Sequence, residues 1–308
     1  MVVITTGGQR DFYGSVVRRV VESMAVGSRR VALVTGSSSG IGEATAIALA
    51  ERGLRVFASG RTLAGVEHLR SLAPNLEPMA IDVTDDASIR RGVAQVFNAA
   101  GGIDVLVNNA GYAIFGAIED LDRETVRRQF EVNVFGAMSM CRAVLPTMRR
   151  QRDGCIVNVS SVAGRVSAPL LGAYCASKFA LEALSDALRM EARPFGIRVV
   201  VVEPGATLTK FRERAMKESA SPLEKRDSAY APAYRAAVAN YTTPSIQVTG
   251  VDVARKIAHI VAKRHPSARY RVKWYDTLAI GFTRILPPRV LDYGVARWVG
   301  LQDLRGAR

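Results

Sequence analysis

A chain of 308 residues, 48% hydrophobic and 23% charged, has the composition of a packed protein with room for one large α/β domain or at most two small ones. Its three cysteines (Cys141, Cys155, Cys175) lack C-x-x-C spacing, and its three histidines (His68, His259, His265) lack acidic or cysteine neighbours at ligand spacing, so neither a disulfide frame nor metal chemistry is expected. The net charge of +14 lies mostly at the ends: residues 1–30 hold five Lys/Arg against two Asp/Glu and residues 251–308 hold twelve against four, leaving +3 for 31–250. Such ends either attract an anionic partner or form a solvated face.

Residues 1–28 read as an N-terminal extension. Their apolar runs are broken by Arg18, Arg19 and Glu22, so no signal peptide is expected, and Phe12–Met24 fits a weak amphipathic helix. Arg30–Thr35 is a short β-branched run of the kind buried in a parallel sheet. It leads into Gly36, Ser37, Ser38, Ser39, Gly40, Ile41 and Gly42, and then into an alanine-rich helical stretch, Glu43–Arg52. Strand, glycine turn and helix in that order bring free backbone N–H groups and a positive helix end to one point, which suits a pyrophosphate.

The second strand, Leu54–Ser59, ends at Gly60 and Arg61. Gly60 stands where an acidic residue would grip a ribose hydroxyl, and the guanidinium of Arg61, which follows, suits a 2′-phosphate, so NADP(H) is expected over NAD(H). The bland alternative is an exposed loop arginine. A third strand is expected over Met79–Val83 with Asp82 at its end, and a fourth over Ile103–Val107 running into Asn108, Asn109, Ala110 and Gly111. Asp122–Arg150 reads as a long helical region interrupted at Asn133 and Gly136; a buried Asn there is either a structural hydrogen-bonder or part of a site.

The fifth strand, Gly154–Ser160, leads to Ser161, and the helix Ala173–Arg193 carries Tyr174 and Lys178 four residues apart on one face. A free phenol titrates near ~10, and a neighbouring cation favours its ionised form. The pair is therefore a candidate proton donor and acceptor, with Ser161 holding the same substrate oxygen. An ordinary amphipathic helix would also present such a pair. Ile197–Val202 is the sixth strand and runs into Pro204, Gly205, Ala206 and Thr207. Strands alternating with helices predict a doubly wound parallel sheet with helices on both faces, and the singled-out residues fall at the carboxyl ends of its strands, where ligands bind.

Leu208–Pro244 changes character, and residues 208–245 read as a substrate lid. A helix is expected over Val251–Ala262 and a last strand over Tyr270–Trp274. Residues 29–265 make up the catalytic domain and 266–308 a basic, apolar C-terminal segment. That segment never reaches eighteen uninterrupted apolar residues, so no membrane span is expected, whereas contact with a membrane surface is left open.

With these motifs in view, the chain resembles the short-chain dehydrogenase/reductase family over about 31–210, nearest the branch of 17β-hydroxysteroid and retinol dehydrogenases. The likeness rests on Thr35-Gly-x-x-x-Gly-Ile-Gly42, Asn108-Asn-Ala-Gly111, Asn133, Ser161, Tyr174-x-x-x-Lys178 and Pro204-Gly205, in order and at family spacing. It implies a Rossmann-like fold, with Tyr174 as general acid/base, Lys178 lowering its pKa and binding the nicotinamide ribose, Ser161 positioning the substrate oxygen, and Asn133 holding a relay water. It also implies Asp82 and Val83 at the adenine, Asn109, Ala110 and Gly111 along the cofactor, and Pro204, Gly205 and Thr207 near the carboxamide. The expected activity is NADP(H)-dependent interconversion of an alcohol and its carbonyl on an apolar steroid, retinoid or lipid-like substrate. A homodimer or homotetramer built on 122–150 and 173–193, a cytoplasmic location and no nucleic acid complete the expectation. The rivals are a 3-oxoacyl-thioester reductase and a non-catalytic NADP(H)-binding sensor or scaffold.

Overall fold

The structure, a computed structural model, describes residues 30–208, 211–225, 227–242, 248–275, 277, 280–281, 286–298 and 301. The N-terminal extension, with its expected helix over Phe12–Met24, lies outside them. Nine strands are described: β1 (Val31–Val34), β2 (Arg55–Gly60), β3 (Leu76–Ala80), β4 (Val105–Asn108), β5 (Gly154–Val159), β6 (Ile197–Glu203), β7 (Thr207–Leu208), β8 (Val248–Thr249) and β9 (Arg269–Arg271). Seven form one sheet in the order β3-β2-β1-β4-β5-β6-β9, with every neighbouring pair parallel.

The period of two along each strand sorts its side chains between two helical layers. Ala32, Val34, Val105, Val107, Val157 and Val202 pack with Leu49 of the helix Gly40–Glu51 and with Val253, Ile257 and Val261 of the helix Gly250–Ala262. Val31, Leu33, Leu106, Ile156 and Val199 pack with Ile89 and Val96 of the helix Asp86–Ala100 and with Met140, Val144 and Met148 of the helix Ala137–Gln151. Each large side chain buried in this way contributes roughly 1.5–3 kcal/mol. The strand order turns back between β1 and β4, and the crevice at their carboxyl ends is where such a sheet binds ligands.

Two expected strands are corrected. β3 lies at Leu76–Ala80, not Met79–Val83, because Asp82 turns the chain away: its Oδ1 accepts from the Thr84 N–H (3.0 Å) and hydroxyl (2.8 Å). β9 covers Arg269–Arg271, not Tyr270–Trp274; its pairing stops at Arg271 opposite Glu203, where β6 ends before Pro204, and Trp274 is exposed. The interruption expected near Asn133 is real. The helix Arg123–Phe130, N-capped by Asp122, passes through a π-helical turn, Glu131–Gly136, into Ala137–Gln151.

The segment expected to be a lid contains the helices Phe211–Glu218, Ala220–Leu223 and Ala231–Thr242. Both its ends are rooted in a parallel β7–β8 ribbon. Asp120, in the loop after β4, ties this segment to the body of the chain. Its carboxylate accepts from the hydroxyls of Ser228 (2.5 Å) and Tyr234 (2.5 Å) and from Lys225 Nζ (3.1 Å). Burial acts to raise the Asp120 pKa, but these three donors outweigh it and hold the carboxyl below its ordinary range.

Candidate active site

The glycine turn is stitched between strands on either side. Thr35 N–H donates to Val107 O (3.0 Å) and Ser37 N–H to Ser59 O (2.8 Å). Gly36 has φ +68°, and a Cβ there would lie 2.8 Å from Ala110 Cα. A Cβ on Gly42 would lie 2.3 Å from Gly36 O, so Gly42 lets the helix close on the turn. Asn109 fixes the other side, its Nδ2 donating to the carbonyls of Thr35 (3.0 Å) and Gly36 (3.1 Å). The helix starts at Gly40 with no side-chain cap, which leaves its first N–H groups for an anion.

One cleft of about 780 Å³ is lined by Gly36, Ser38, Ser39, Gly40 and Ile41 of this turn, and also by Arg61, Asp82, Val83, Asn109, Ala110 and Gly111. Pro204, Gly205 and Thr207 line it as well. Ser37 and Gly42, expected at the cofactor, do not. The Ser37 hydroxyl is fully buried and donates to Val34 O (3.0 Å), which makes it an internal tie of the turn. Among the described residues Arg61 has no ion-pair partner, which suits it to a phosphate.

Ser161, Tyr174 and Lys178 line the same cleft. Ser161 caps the turn after β5, its Oγ accepting from Ala163 N–H (3.1 Å) and donating to Pro204 O (3.4 Å). Lys178 is buried; its Nζ donates to Val159 O (2.9 Å) and lies 5.9 Å from the centre of the Tyr174 ring. Burial pulls the Lys178 pKa down to about 8, and the Glu182 carboxylate one helical turn on partly opposes it. Behind Lys178, Glu182 and the fully buried Glu203 share Arg269, at 3.0 and 3.4 Å, which ties β9 to the floor of the site.

Asn133 does not line the cleft. Its Oδ1 accepts from Tyr112 N–H (3.0 Å), and its Nδ2 donates to Tyr112 O (2.9 Å) and to Ser177 Oγ (3.0 Å). Ser177 in turn donates to Tyr174 O (2.7 Å), so Asn133 braces the backbone of the tyrosine. The far wall, formed by Val162, Ala163, Val166, Ala168, Leu171, Phe211 and Arg214, is mostly apolar, and none of these residues was singled out from the sequence. Only the helical spacing of Phe211, Arg214 and Ala215 in the lid segment carried a signal for it. Among the described residues no group of His, Cys, Asp and Glu could hold a metal, and no helix is long and apolar enough to cross a membrane.

A parallel sheet with a glycine turn at its crossover, and a buried Tyr–Lys pair on the same cleft, is the build of a dinucleotide-dependent oxidoreductase. The chain belongs to the short-chain dehydrogenase/reductase family, as the family model of the short chain dehydrogenases matches residues 30–220. It is similar to the 3-ketodihydrosphingosine reductase of Bacteroides thetaiotaomicron, at 42% identity over 185 residues, 60% of this chain and 66% of that protein. The NADPH-dependent 3-dehydrocapnine reductase of Ornithobacterium rhinotracheale is 33% identical over 273 residues, 85% of this chain and 95% of its own. A solved short-chain dehydrogenase from Streptomyces avermitilis matches with a TM-score of 0.73 at 30% identity, covering 90% of this chain and 98% of that one.

Proposed function

We propose that this oxidoreductase uses NADP(H) to interconvert a carbonyl and its alcohol on an apolar, lipid-like substrate. The observation that carries this reading is that Ser161, Tyr174 and Lys178 share one cleft with the glycine turn and with an apolar wall. Arg61 at the end of β2 supports the choice of NADP(H), as does the relative described as NADPH-dependent. The Bacteroides thetaiotaomicron relative, a reductase of 3-ketodihydrosphingosine by name, supports a lipid-like carbonyl.

When bound, the nicotinamide supplies the hydride that reaches the carbonyl carbon, and is oxidised in doing so. The turn Gly36–Gly42 and Arg61 hold the diphosphate and the 2′-phosphate. Ser161 donates a hydrogen bond to the substrate oxygen, and Tyr174 Oη delivers the proton that completes the hydroxyl. Lys178 holds positive charge near the phenol and so favours its ionised form once the proton has left. Asn133 works through Tyr112 and Ser177 and keeps the tyrosine in place. Tyr174→Phe should abolish NADPH oxidation with aliphatic and cyclic ketones while leaving NADPH binding within about twofold of wild type, because the phenol supplies a proton and not cofactor affinity. Turnover near the wild-type rate would remove Tyr174 from this role.

The same reading takes the chain as a homodimer or homotetramer. Phe135, Met138, Phe179, Leu184 and Met190 are large apolar side chains exposed along 122–150 and 173–193, which supports it. The C-terminal helix Pro288–Trp298 exposes Val290 and Tyr293 alongside basic residues, which supports contact with an anionic membrane surface.

A further inference from the structure

Among the described residues lining the cleft, the charged ones are Arg61, Asp82, Lys178 and Arg214. Arg61 and Asp82 follow β2 and β3, at the end assigned to the adenosine, and Lys178 sits beside the tyrosine. Arg214 is different: it belongs to the lid helix Phe211–Glu218, on the substrate side, in a wall that is otherwise apolar.

The helix fixes where that charge sits. Residues 211, 214, 215 and 218 share a face. Ala215 is fully buried in one cluster with Ala113, Phe115 and Tyr174, and the Phe211 ring lies 6.0 Å from the Tyr174 ring. The Arg214 guanidinium therefore stands beside the reacting end of the cleft, with its Cζ 5.3 Å from the centre of the Tyr112 ring. Stacking on the ring occupies the face of a guanidinium and leaves its edge donors available. The platform is itself rigid, because Asn133 holds both the N–H and the carbonyl of Tyr112 and Gln129 adds a second donor to that carbonyl. Among the described residues the carboxylate paired with Arg214 is Glu218, 3.8 Å from Arg214 Nε and beyond hydrogen-bond reach, and both side chains are about half exposed. Such a pair is screened and weak. It leaves Arg214 able to take a better partner.

We infer that Arg214 anchors an oxyanion on the substrate, so that the enzyme acts on an anionic amphiphile: an apolar chain bearing the carbonyl and an acidic group. The inference rests on the carbonyl-reductase reading above and adds a substrate class to it. A carboxylate and a phosphate offer the same chemistry to the guanidinium, and the assay distinguishes them.

The test compares 4-oxododecanoate, its methyl ester and acetoacetyl-coenzyme A as substrates with NADPH, for wild type, Arg214→Gln and Arg214→Lys. Loss of a charge-assisted bond should lower kcat/KM for the acid at least about tenfold in Arg214→Gln, with the ester unchanged within about twofold and Arg214→Lys in between. A selective loss on the coenzyme A thioester alone also supports the inference and assigns the oxyanion to a phosphate. Equal losses on acid, ester and thioester, or no loss on any, overturn it. A second readout needs no turnover: decanoate should raise the Tm of wild type more than decanol does, and Arg214→Gln should erase the difference. If wild type turns over none of the three carbonyls, the carbonyl-reductase reading fails, and the decanoate measurement alone decides the role of Arg214: a difference in wild type that Arg214→Gln erases keeps it, and no difference ends it.

Discussion

Truncating Asn133 to alanine tests how the site is braced, and its cost can be worked out bond by bond. The side chain is 1% exposed and makes three hydrogen bonds, two to Tyr112 and one to Ser177. Two of the three partners keep a second bond after truncation. Tyr112 O still accepts from Gln129 Nε2 (3.1 Å), and Ser177 Oγ still donates to Tyr174 O (2.7 Å). Tyr112 N–H, on a residue only 5% exposed, is left with none. An orphaned buried donor costs about 1–3 kcal/mol, so Asn133→Ala should lose about 2 kcal/mol. For a domain of this size each kcal/mol lowers Tm by roughly 2–4 °C, which gives a drop of about 4–8 °C by scanning calorimetry. Asn133→Asp keeps the acceptor but loses both donors and buries a charge, so it should be no more stable than the alanine variant. A Tm within about 1 °C of wild type for Asn133→Ala would show that Tyr112 does not depend on this side chain, contrary to the geometry.

Three further outcomes follow from the charges in the cleft. Arg61→Asp should reverse the preference for NADPH over NADH, with a change in the ratio of dissociation constants of about 10–100-fold, checked by fluorescence titration; an unchanged ratio would remove Arg61 from the 2′-phosphate. Lys178, whose pKa burial lowers to about 8, should give reductive kcat/KM a limb that falls as pH rises through about 8, and Lys178→Arg should move that limb out of the range. The same group affects stability. Below pH 8 it is charged in both states; between about 8 and ~10.4 the unfolded chain holds the extra proton, so its contribution to stability rises with pH across that window. Lys178→Met should flatten that rise in urea-unfolding free energies.

Much of the sheet was legible because its strands are short, continuous apolar runs that end in glycine, proline or asparagine. Gly36–Gly42, Asn109 and the Tyr174–Lys178 spacing each carry a local signature that sequence displays directly. The misplaced ends have a common origin. At Asp82 a side-chain turn, and at Arg271 the end of the neighbouring strand, cut the pattern short, and neither is encoded in apolar periodicity. Ser37 does not line the cleft, because sequence shows that a serine belongs to the turn but not which way its hydroxyl faces. Phe211 and Arg214 offer no local signature beyond their helical spacing. They reach the cleft only because Ala215 is buried against Phe115 and Tyr174, a contact between segments some hundred and some forty residues away along the chain.

The Asp120 fastening has a consequence for anyone who would exchange residues 208–245 between family members. The catch belongs to the body of the enzyme, more than a hundred positions upstream of the Ser228 and Tyr234 it engages. A roof borrowed from another family member would arrive without its fastener, while the stranded carboxylate would stay behind under a foreign cover. The transferable module is therefore discontinuous: the loop around Asp120 has to travel with residues 208–245, or the chimera loses the contacts that seat them.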